Sequence, residues 1–293
     1  MRDARRVFIV LGTTAVVMAV VVAVAVVAAA LWAVALVTRV ASDPIGLIDL
    51  QVYRTGGEAW LRGVPLYGPE FPTAVHGPPL PFTYPPVAAV LFAALAVLPW
   101  ALAIVLVTGT GVAGLAVACW VAADRLAERN GWLTSGRAPV ALLAVATASA
   151  ALLVEPVRHT VSFGQINLLL MGAIAADCML RRTPWPRGTL IGIAAAVKLT
   201  PAAFVLFFLA RRQWRPVLAA VASFVAAGLL GLVFAPGDTR AYWFGALLDP
   251  TRVGHVEFVS NQSLRGLLYR LGLPDGLQHV AWLALSAAVG LLA

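Results

Sequence analysis

Long apolar blocks are the feature that most constrains what this chain can fold into. A membrane-spanning helix needs about 20 mainly apolar residues, and soluble domains carry about 25% charged residues, whereas this sequence has 12%. The blocks therefore predict an all-α, polytopic transmembrane helical bundle. The first run, 7–37, exceeds the roughly 7–15 apolar residues of a signal peptide, so we expect a retained first helix over 7–40. The later apolar blocks are 86–123, 138–154, 167–180, 188–210, 216–235 and 280–293.

Arginine clusters between the blocks predict the topology. Cytoplasmic loops are enriched in Lys and Arg, so we assign the arginine-rich turns at 125–137, 181–187 and 211–215 to the inner side. Residues 41–85 and 236–279 then form two long extracytoplasmic loops that carry short surface helices. This explains the net charge of +8 without a nucleic-acid partner. We predict a multi-pass plasma-membrane protein, in contact with membrane lipid, whose active site faces the periplasmic side.

Two apolar blocks are interrupted in ways that predict broken or re-entrant helices. Pro99 divides one block into a short helix and a span. The segment 198–201 divides another block that must begin and end inside, which predicts a hairpin entering from the cytoplasm. Broken helices at membrane depth need a cavity or surrounding protein. Because 280–293 ends without a polar flank, we expect the chain to be C-terminally incomplete, with one transmembrane domain over 1–293.

Asp49 begins an amphipathic stretch in the first outer loop. Apolar residues recur at helical spacing over 49–62, which predicts a short helix on the membrane surface. Asp49 then has two interpretations, a helix N-cap or a proton acceptor kept ionised by the helix dipole, and its position alone favours the cap. The loop is also aromatic, which is typical of an interfacial belt or of sugar stacking; the aromatic candidates are Tyr53, Tyr67 and Tyr84.

The segment 155–166 is predicted as a short outer loop between two spans. Charges in an apolar context usually face a cavity or a partner, and Arg158, which precedes His159, is placed three residues from Glu155 to pair with it. Gln165 and Asn167 are amides suited to sugar hydroxyls, or to joining helices.

Lys198 is the only lysine in the sequence, and it lies within an apolar block beside a helix break. Membrane lysines usually extend to the interface, but a cation at a break is also placed to hold a phosphate. The second outer loop offers further cations and amides; they are His255, Arg265, Asn261 and Gln262.

Several chemistries are excluded by missing motifs. The sequence has no Walker A loop, dinucleotide-binding glycine motif, zinc-ligand spacing or nucleophile elbow. Cys119 and Cys178 both lie inside apolar blocks without metal-ligand spacing. We therefore expect no metal and no cofactor. An outward-facing membrane enzyme without a nucleotide-binding domain must use a donor that is already activated in the membrane, such as a polyprenyl-phosphate sugar.

An ordered set of motifs extends over about residues 45–270. It consists of Asp49-x3-Tyr53, Gly63-x-Pro65-Leu66-Tyr67, Phe82-Thr83-Tyr84-Pro85-Pro86, Gly164-Gln165-x-Asn167, Gly192 through Pro201, and Asn261-Gln262-Ser263-Leu264. This set resembles glycosyltransferase family 87, whose members are polyprenol-phosphate-mannose-dependent mannosyltransferases of the GT-C architecture.

The resemblance implies an inverting transfer of mannose from polyprenyl-phosphate-mannose to a glycolipid, either a phosphatidylinositol mannoside or lipomannan, in α-(1→2) linkage. Asp49 would be the catalytic base. The donor phosphate would be held by cations, for which the candidates are Lys198, Arg158, His159, His255 and Arg265. Sugars would contact the aromatic and amide candidates, namely Tyr53, Tyr67, Tyr84, Gln165, Asn167, Asn261 and Gln262. Two alternatives stay open: a polyprenyl-phosphate-arabinose-dependent arabinofuranosyltransferase, and a transporter or flippase of a lipid-linked sugar.

Overall fold

The computed structural model describes residues 46–72, 80–131, 137–249 and 261–292, together with positions 23, 27, 252 and 256. Regular structure within these residues is helical throughout, which confirms the predicted all-α fold. Of the first helix predicted over 7–40, only positions 23 and 27, both helical, belong to the described part. The α-helices are α1 (Ile48–Leu61), α2 (Pro86–Val97), α3 (Trp100–Arg129), α4 (Ala138–Ala151), α5 (Glu155–Ser162), α6 (Asn167–Met179), α7 (Thr189–Val197), α8 (Val205–Ala210), α9 (Trp214–Phe234), α10 (Pro236–Phe244), α11 (Leu264–Arg270) and α12 (Asp275–Leu292).

Two of the described helices, α3 and α9, are long and apolar enough to cross a membrane by themselves. The pair α4 and α5, bent by 70° at the break between them, is a candidate third span. Large apolar side chains on α9, such as Leu218, Val221 and Leu229, are exposed. Exposed apolar side chains on a long helix are the expected state of a surface that faces lipid tails.

The two predicted helix breaks are present. Pro99 separates α2 from α3, and the backbone of Lys198 is extended between α7 and a 3₁₀ turn at Thr200–Phe204. The prediction of a loop over 155–166 is wrong, because residues 155–162 form α5. Pro156 lies in the first turn of this helix. A backbone N–H at this place has no partner within the helix, so proline loses no hydrogen bond there and favours helix initiation.

The chain divides into two compact units, Met1–Arg240 and Ala241–Ala293. The first contains α1 to α9, and the second contains α11 and α12. The predicted single domain over 1–293 and the outer placement of the loops 41–85 and 236–279 stay predictions. The second of these loops contains α10 and α11, and α12 begins within it.

Helix α1 is held against α2 by both apolar and polar contacts. Tyr53 of α1 is fully buried, and its ring stacks on Phe92 of α2 at 4.4 Å between centroids. The Arg54 guanidinium donates to the carbonyls of Leu95 and Leu98, at the C-terminal end of α2. A cation is favoured there because the last carbonyls of a helix lack partners and carry partial negative charge.

A fully buried carboxylate organises the turn between α6 and α7. Asp177 accepts hydrogen bonds from the Trp185 indole and from the backbone N–H of Ile191, both at 3.0 Å. Ile191 lies in the first turn of α7, whose N–H groups have no partner within the helix. Asp177 therefore caps α7 from a distance and fixes α7 relative to α6.

Candidate active site

Asp49 lies in the first turn of α1, but it does not cap the helix, so the N-cap interpretation is wrong. The cap position is Leu47, in the left-handed conformation at φ 61°, and no side chain bonds to the cap. The backbone N–H of Asp49 donates instead to the carbonyl of Phe163 at 3.0 Å. Because the N–H groups of this turn donate to a backbone carbonyl, the Asp49 carboxylate is not needed as their acceptor. It forms hydrogen bonds with other side chains instead.

The chain that satisfies this turn reverses direction at Gly164. This glycine has φ 67°, in the left-handed region, and a Cβ there would lie 2.8 Å from the Cβ of Leu50. Glycine is therefore required both for the turn and for the close approach to α1. The turn brings the following residue, Gln165, to the start of α1.

The Asp49 carboxylate accepts one hydrogen bond on each oxygen. Tyr84 donates to Oδ1 at 3.2 Å, and Gln165 Nε2 donates to Oδ2 at 2.9 Å. An ionised carboxylate offers about four acceptor positions, so two are left open by the residues that the structure describes and can take a ligand hydroxyl. Asp49 itself is only half-buried, which leaves the group accessible to a substrate.

Gln165 begins a hydrogen-bonded chain that ends at the only lysine. Its Oε1 accepts from Asn167 Nδ2 at 2.6 Å, and Asn167 Oδ1 accepts from Lys198 Nζ at 2.9 Å. Residues from α1, the turn before α6 and the break after α7 thus form one polar network. This hydrogen-bonded chain joins four of the predicted site residues, which are Asp49, Gln165, Asn167 and Lys198, and Tyr84 joins it at Asp49.

Tyr53 and Tyr84, two of the predicted sugar contacts, are buried beside Asp49. Their hydroxyls lie 3.5 Å apart, and the Tyr53 hydroxyl accepts from the backbone N–H of Ile166 at 3.4 Å. Burial raises the pKa of both phenols above its ordinary value, with the Asp49 charge adding to the effect. Both therefore stay protonated, and Tyr84 persists as a donor to the carboxylate.

Tyr67, the third aromatic candidate, donates its hydroxyl to the backbone carbonyl of Tyr84 at 2.5 Å. It is half-buried against the core around α1 and α2. The hydroxyl fixes the backbone at Tyr84, just before Pro85 and Pro86 begin α2. Sugar binding by these three tyrosines stays a prediction.

Lys198 and Asn167 border an apolar cavity of about 530 Å³. One wall is a stripe along α6 at helical spacing, from Asn167 near one end to Met179 at the other, and the facing wall comes from the 3₁₀ turn and α8. The polar residues alone do not predict this cavity wall. The apolar residues that recur at helical spacing along 167–179 are the sequence pattern that could have predicted it. The apolar lining residues that were not predicted from sequence are Leu170, Met171, Ile174, Ala175, Cys178, Met179, Phe204 and Phe207.

The remaining cation candidates in the first unit lie outside this network. Arg158 and His159 are exposed on α5. His159 Nε2 is 3.8 Å from Glu155 Oε1, so within the described residues Glu155 faces His159 rather than Arg158. Phosphate binding by Arg158 and His159 stays a prediction.

The candidates of the second outer loop belong to the second unit. Asn261 Oδ1 accepts from the Ser263 hydroxyl at 2.7 Å, and Ser263 caps α11 by accepting from the N–H of Gly266. Arg265 is half-buried in the first turn of α11, and Gln262 is exposed. His255 lies outside the described residues. The functional roles of these four candidates stay predictions.

The fold and this site define an all-helical membrane protein in which a carboxylate and an ammonium group are joined beside an apolar cavity. The profile of glycosyltransferase family 87 matches residues 82–293. The chain belongs to glycosyltransferase family 87, a family with the GT-C architecture.

Characterised relatives share much of the sequence. The chain is 42% identical over 252 residues to the polyprenol-phosphate-mannose-dependent alpha-(1-2)-phosphatidylinositol mannoside mannosyltransferase of Mycolicibacterium smegmatis, covering 83% of this chain and 56% of the relative. The protein of the same name from Mycobacterium tuberculosis is 41% identical over 251 residues, covering 83% and 58%. An alpha-(1->3)-arabinofuranosyltransferase of Corynebacterium glutamicum is 28% identical over 169 residues, covering 57% and 38%.

The chain thus spans little more than half the length of the mannosyltransferases it matches. No solved structure matches it.

Proposed function

We propose that this chain carries the catalytic base of an inverting mannosyltransferase of the plasma membrane. Polyprenyl-phosphate-mannose is the donor, and a phosphatidylinositol mannoside or lipomannan is the acceptor, extended in α-(1→2) linkage on the extracytoplasmic face. One observation carries the proposal: the Asp49 carboxylate is connected through two amides to Lys198 beside an apolar cavity, and two of its acceptor positions are occupied by no residue in the described part of the chain.

The carboxylate suits the role of base in a single displacement. The acceptor hydroxyl donates its proton to Asp49 as its oxygen attacks the anomeric carbon of mannose. The bond from this carbon to the phosphate oxygen breaks on the opposite face, so configuration inverts, as in inverting hydrolases with a single base. A positioned base of this kind contributes about 10²–10⁴-fold in rate.

The ammonium group suits the leaving phosphate. A lipid monophosphate leaves as an anion, and a preorganised cation stabilises the negative charge that develops on it. Lys198 uses one donor on Asn167, and an ammonium has three. The adjoining cavity, lined by leucine, isoleucine, methionine and phenylalanine, is chemically matched to the hydrocarbon chain of such a lipid.

The choice of mannose over arabinose is favoured by similarity. The two mannosyltransferases match more of this chain, at higher identity, than the arabinofuranosyltransferase does. A transporter of lipid-linked sugars would need no base, whereas Asp49 is held by two donors with acceptor positions open.

The test is transfer by the full chain in membranes, with radiolabelled polyprenyl-phosphate-mannose and a phosphatidylinositol mannoside acceptor. We expect wild-type protein to form an α-mannosidase-sensitive product, and Asp49→Asn to reduce turnover about 10²–10⁴-fold. Asp275→Asn is the matched control, since Asp275 lies in the first turn of α12 in the second unit, and it should keep full activity.

Near-normal turnover by Asp49→Asn would refute the assignment of the base. Exclusive use of polyprenyl-phosphate-arabinose would favour the arabinofuranosyltransferase. Movement of labelled lipid across the bilayer without a new glycosidic bond would favour the flippase.

A further inference from the structure

The connection between Lys198 and Asp49 has a fixed direction. An ammonium group only donates hydrogen bonds, and an ionised carboxylate only accepts them. The two ends therefore determine how both amides between them are oriented. Each amide accepts on its oxygen from the lysine side and donates from its nitrogen toward the aspartate, as the contacts of Asn167 and Gln165 show.

The amides keep the two charges apart while aligning the groups between them. A direct ion pair would place donors of Lys198 on the carboxylate and block both groups for substrate. The connection through Asn167 and Gln165 uses one donor of the ammonium and one acceptor position on Oδ2 of Asp49. Aligned hydrogen bonds polarise one another, so the positive charge strengthens the donor that Gln165 offers to Asp49.

We propose that Gln165 and Asn167 are positioning residues that couple the Lys198 ammonium to the Asp49 carboxylate. This inference rests on the proposed function, and it gives both amides a role other than binding sugar hydroxyls. Coupling between two sites is reciprocal. A phosphate that engages Lys198 therefore changes the donor strength at Asp49, so the base responds to the presence of the donor lipid.

The first test is the pH dependence of turnover by Gln165→Leu. The titratable groups facing Asp49 are Tyr53, Tyr84 and Lys198, and the two tyrosines stay neutral. Removing a donor disfavours the charged form of a carboxylate. We expect kcat to fall about tenfold and the acidic limb of the profile to move up by about one pH unit, with the acceptor KM unchanged.

The second test is Asn167→Leu, which changes a residue that bonds to Gln165 and Lys198 rather than to Asp49. If the amides act as a unit, this variant also moves the acidic limb upward. The double variant Gln165→Leu/Asn167→Leu then moves it no further than Gln165→Leu alone, because effects within one network are not additive.

Gln213→Leu is the matched control, because Gln213 is exposed in the turn before α9; its profile should equal that of the wild type. Thermal unfolding in detergent checks folding, and Gln165→Ala and Asn167→Ala, with the same expected shifts, replace any leucine variant that fails to fold.

A raised acceptor KM with an unmoved pH profile would overturn the coupling and assign the amides to sugar binding. The proposed function and the coupling are refuted by different outcomes. Loss of product in the wild type, or an active Asp49→Asn variant, refutes the proposed function. An active wild type with an inactive Asp49→Asn variant and an unmoved Asn167→Leu profile refutes only the coupling.

Discussion

At the residue scale, the reactivity of Asp49 depends on what its neighbours leave open. The sequence pattern predicts a cap at Asp49, but the helix begins at Ile48, and the carbonyls of Ser162 and Phe163 already satisfy the N–H groups of Leu47, Asp49 and Leu50. Among the residues that the structure describes, the side chain is held by Tyr84 and Gln165, one on each oxygen. Hydrogen bonds to a charged group are worth about 1.5–3 kcal/mol each, enough to fix its orientation.

Tyr84→Phe tests the hydrogen bond to the other carboxylate oxygen of Asp49. The variant removes the donor to Oδ1, and we expect turnover to fall about tenfold. The ring contacts with Tyr53, Phe82 and Phe92 remain, so the protein should still fold. Because burial raises the pKa of the Tyr84 phenol, the deficit should persist on the alkaline side up to pH about 10, where an ordinary tyrosine loses its proton.

Tyr269→Phe is the control for that measurement. Tyr269 is 43% exposed on α11, in the second unit, and its variant should match the wild-type profile. Full activity in Tyr84→Phe would show that Gln165 alone orients the carboxylate.

Sequence reasoning identified the polar residues of the network but not their connections. Asp49 and Gln165 are separated by 116 positions, and no helical spacing relates residues in different elements. The cap interpretation of Asp49 was wrong for the same reason, since the competing acceptors are backbone carbonyls at 162 and 163, which carry no signature in the sequence.

At the element scale, α3 and α6 approach closely at two glycines. A Cβ at Gly114 would lie 2.3 Å from the carbonyl oxygen of Leu168, and one at Gly172 would lie 2.5 Å from the Cα of Gly114. Small residues at crossings allow membrane helices to pack backbone against backbone. This crossing fixes the position of α6. It therefore also fixes Asn167, the first residue of α6, and the cavity wall that α6 forms.

Gly114→Ala should force the two helices apart. Overpacking of this kind costs about 1–3 kcal/mol, so we expect a lower melting temperature in detergent, together with reduced transfer activity as Asn167 moves. Gly109→Ala is the control on the same helix, since a Cβ there meets nothing within 4 Å. Equal melting temperatures for the two variants would contradict the close approach.

The helix breaks could be predicted from the prolines and the lysine in the sequence. The short helix between two spans could not be predicted. Pro99 and the segment 198–201 interrupt apolar blocks at the predicted places. The residues of α5 are polar and begin with Glu155-Pro156, a composition that a loop and a first helical turn share. The role of α5 follows from its structure: the carbonyls at its C-terminal end, at 162 and 163, accept hydrogen bonds from the N–H groups at the start of α1.

At the scale of the first unit, the arginine clusters and the C-terminal end of α1, the helix that carries Asp49, lie at opposite ends of α9. Arg125 donates to the carbonyl of Met179, and Arg181 pairs with Asp124, so the ends of α3 and α6 meet. Arg187 donates to the carbonyl of Cys178 near the same end of α6, and Gly188, which follows it, lies against the carbonyl of Pro216 at the start of α9. At the other end of α9, the indole of Trp60 from α1 donates to the carbonyl of Phe234.

This separation predicts the orientation in the membrane. A helix of 21 residues is about 32 Å long at 1.5 Å per residue, close to the thickness of the hydrocarbon core. Arginine-rich ends stay in the cytoplasm, so α1 and Asp49 should face outward. In a background of Cys119→Ala and Cys178→Ala, Glu58→Cys on α1 should react with an impermeant maleimide in intact spheroplasts.

The paired reporter is Gln213→Cys, in the turn next to Arg211 and Arg212, which should react only after permeabilisation. Glu58 and Gln213 are both exposed, so a difference in labelling reports the side of the membrane rather than burial. The reversed pattern would put Asp49 in the cytoplasm. An extracytoplasmic transfer would then be untenable even if the network around Asp49 were intact, because the base and the outward-facing acceptor would lie on opposite sides of the bilayer.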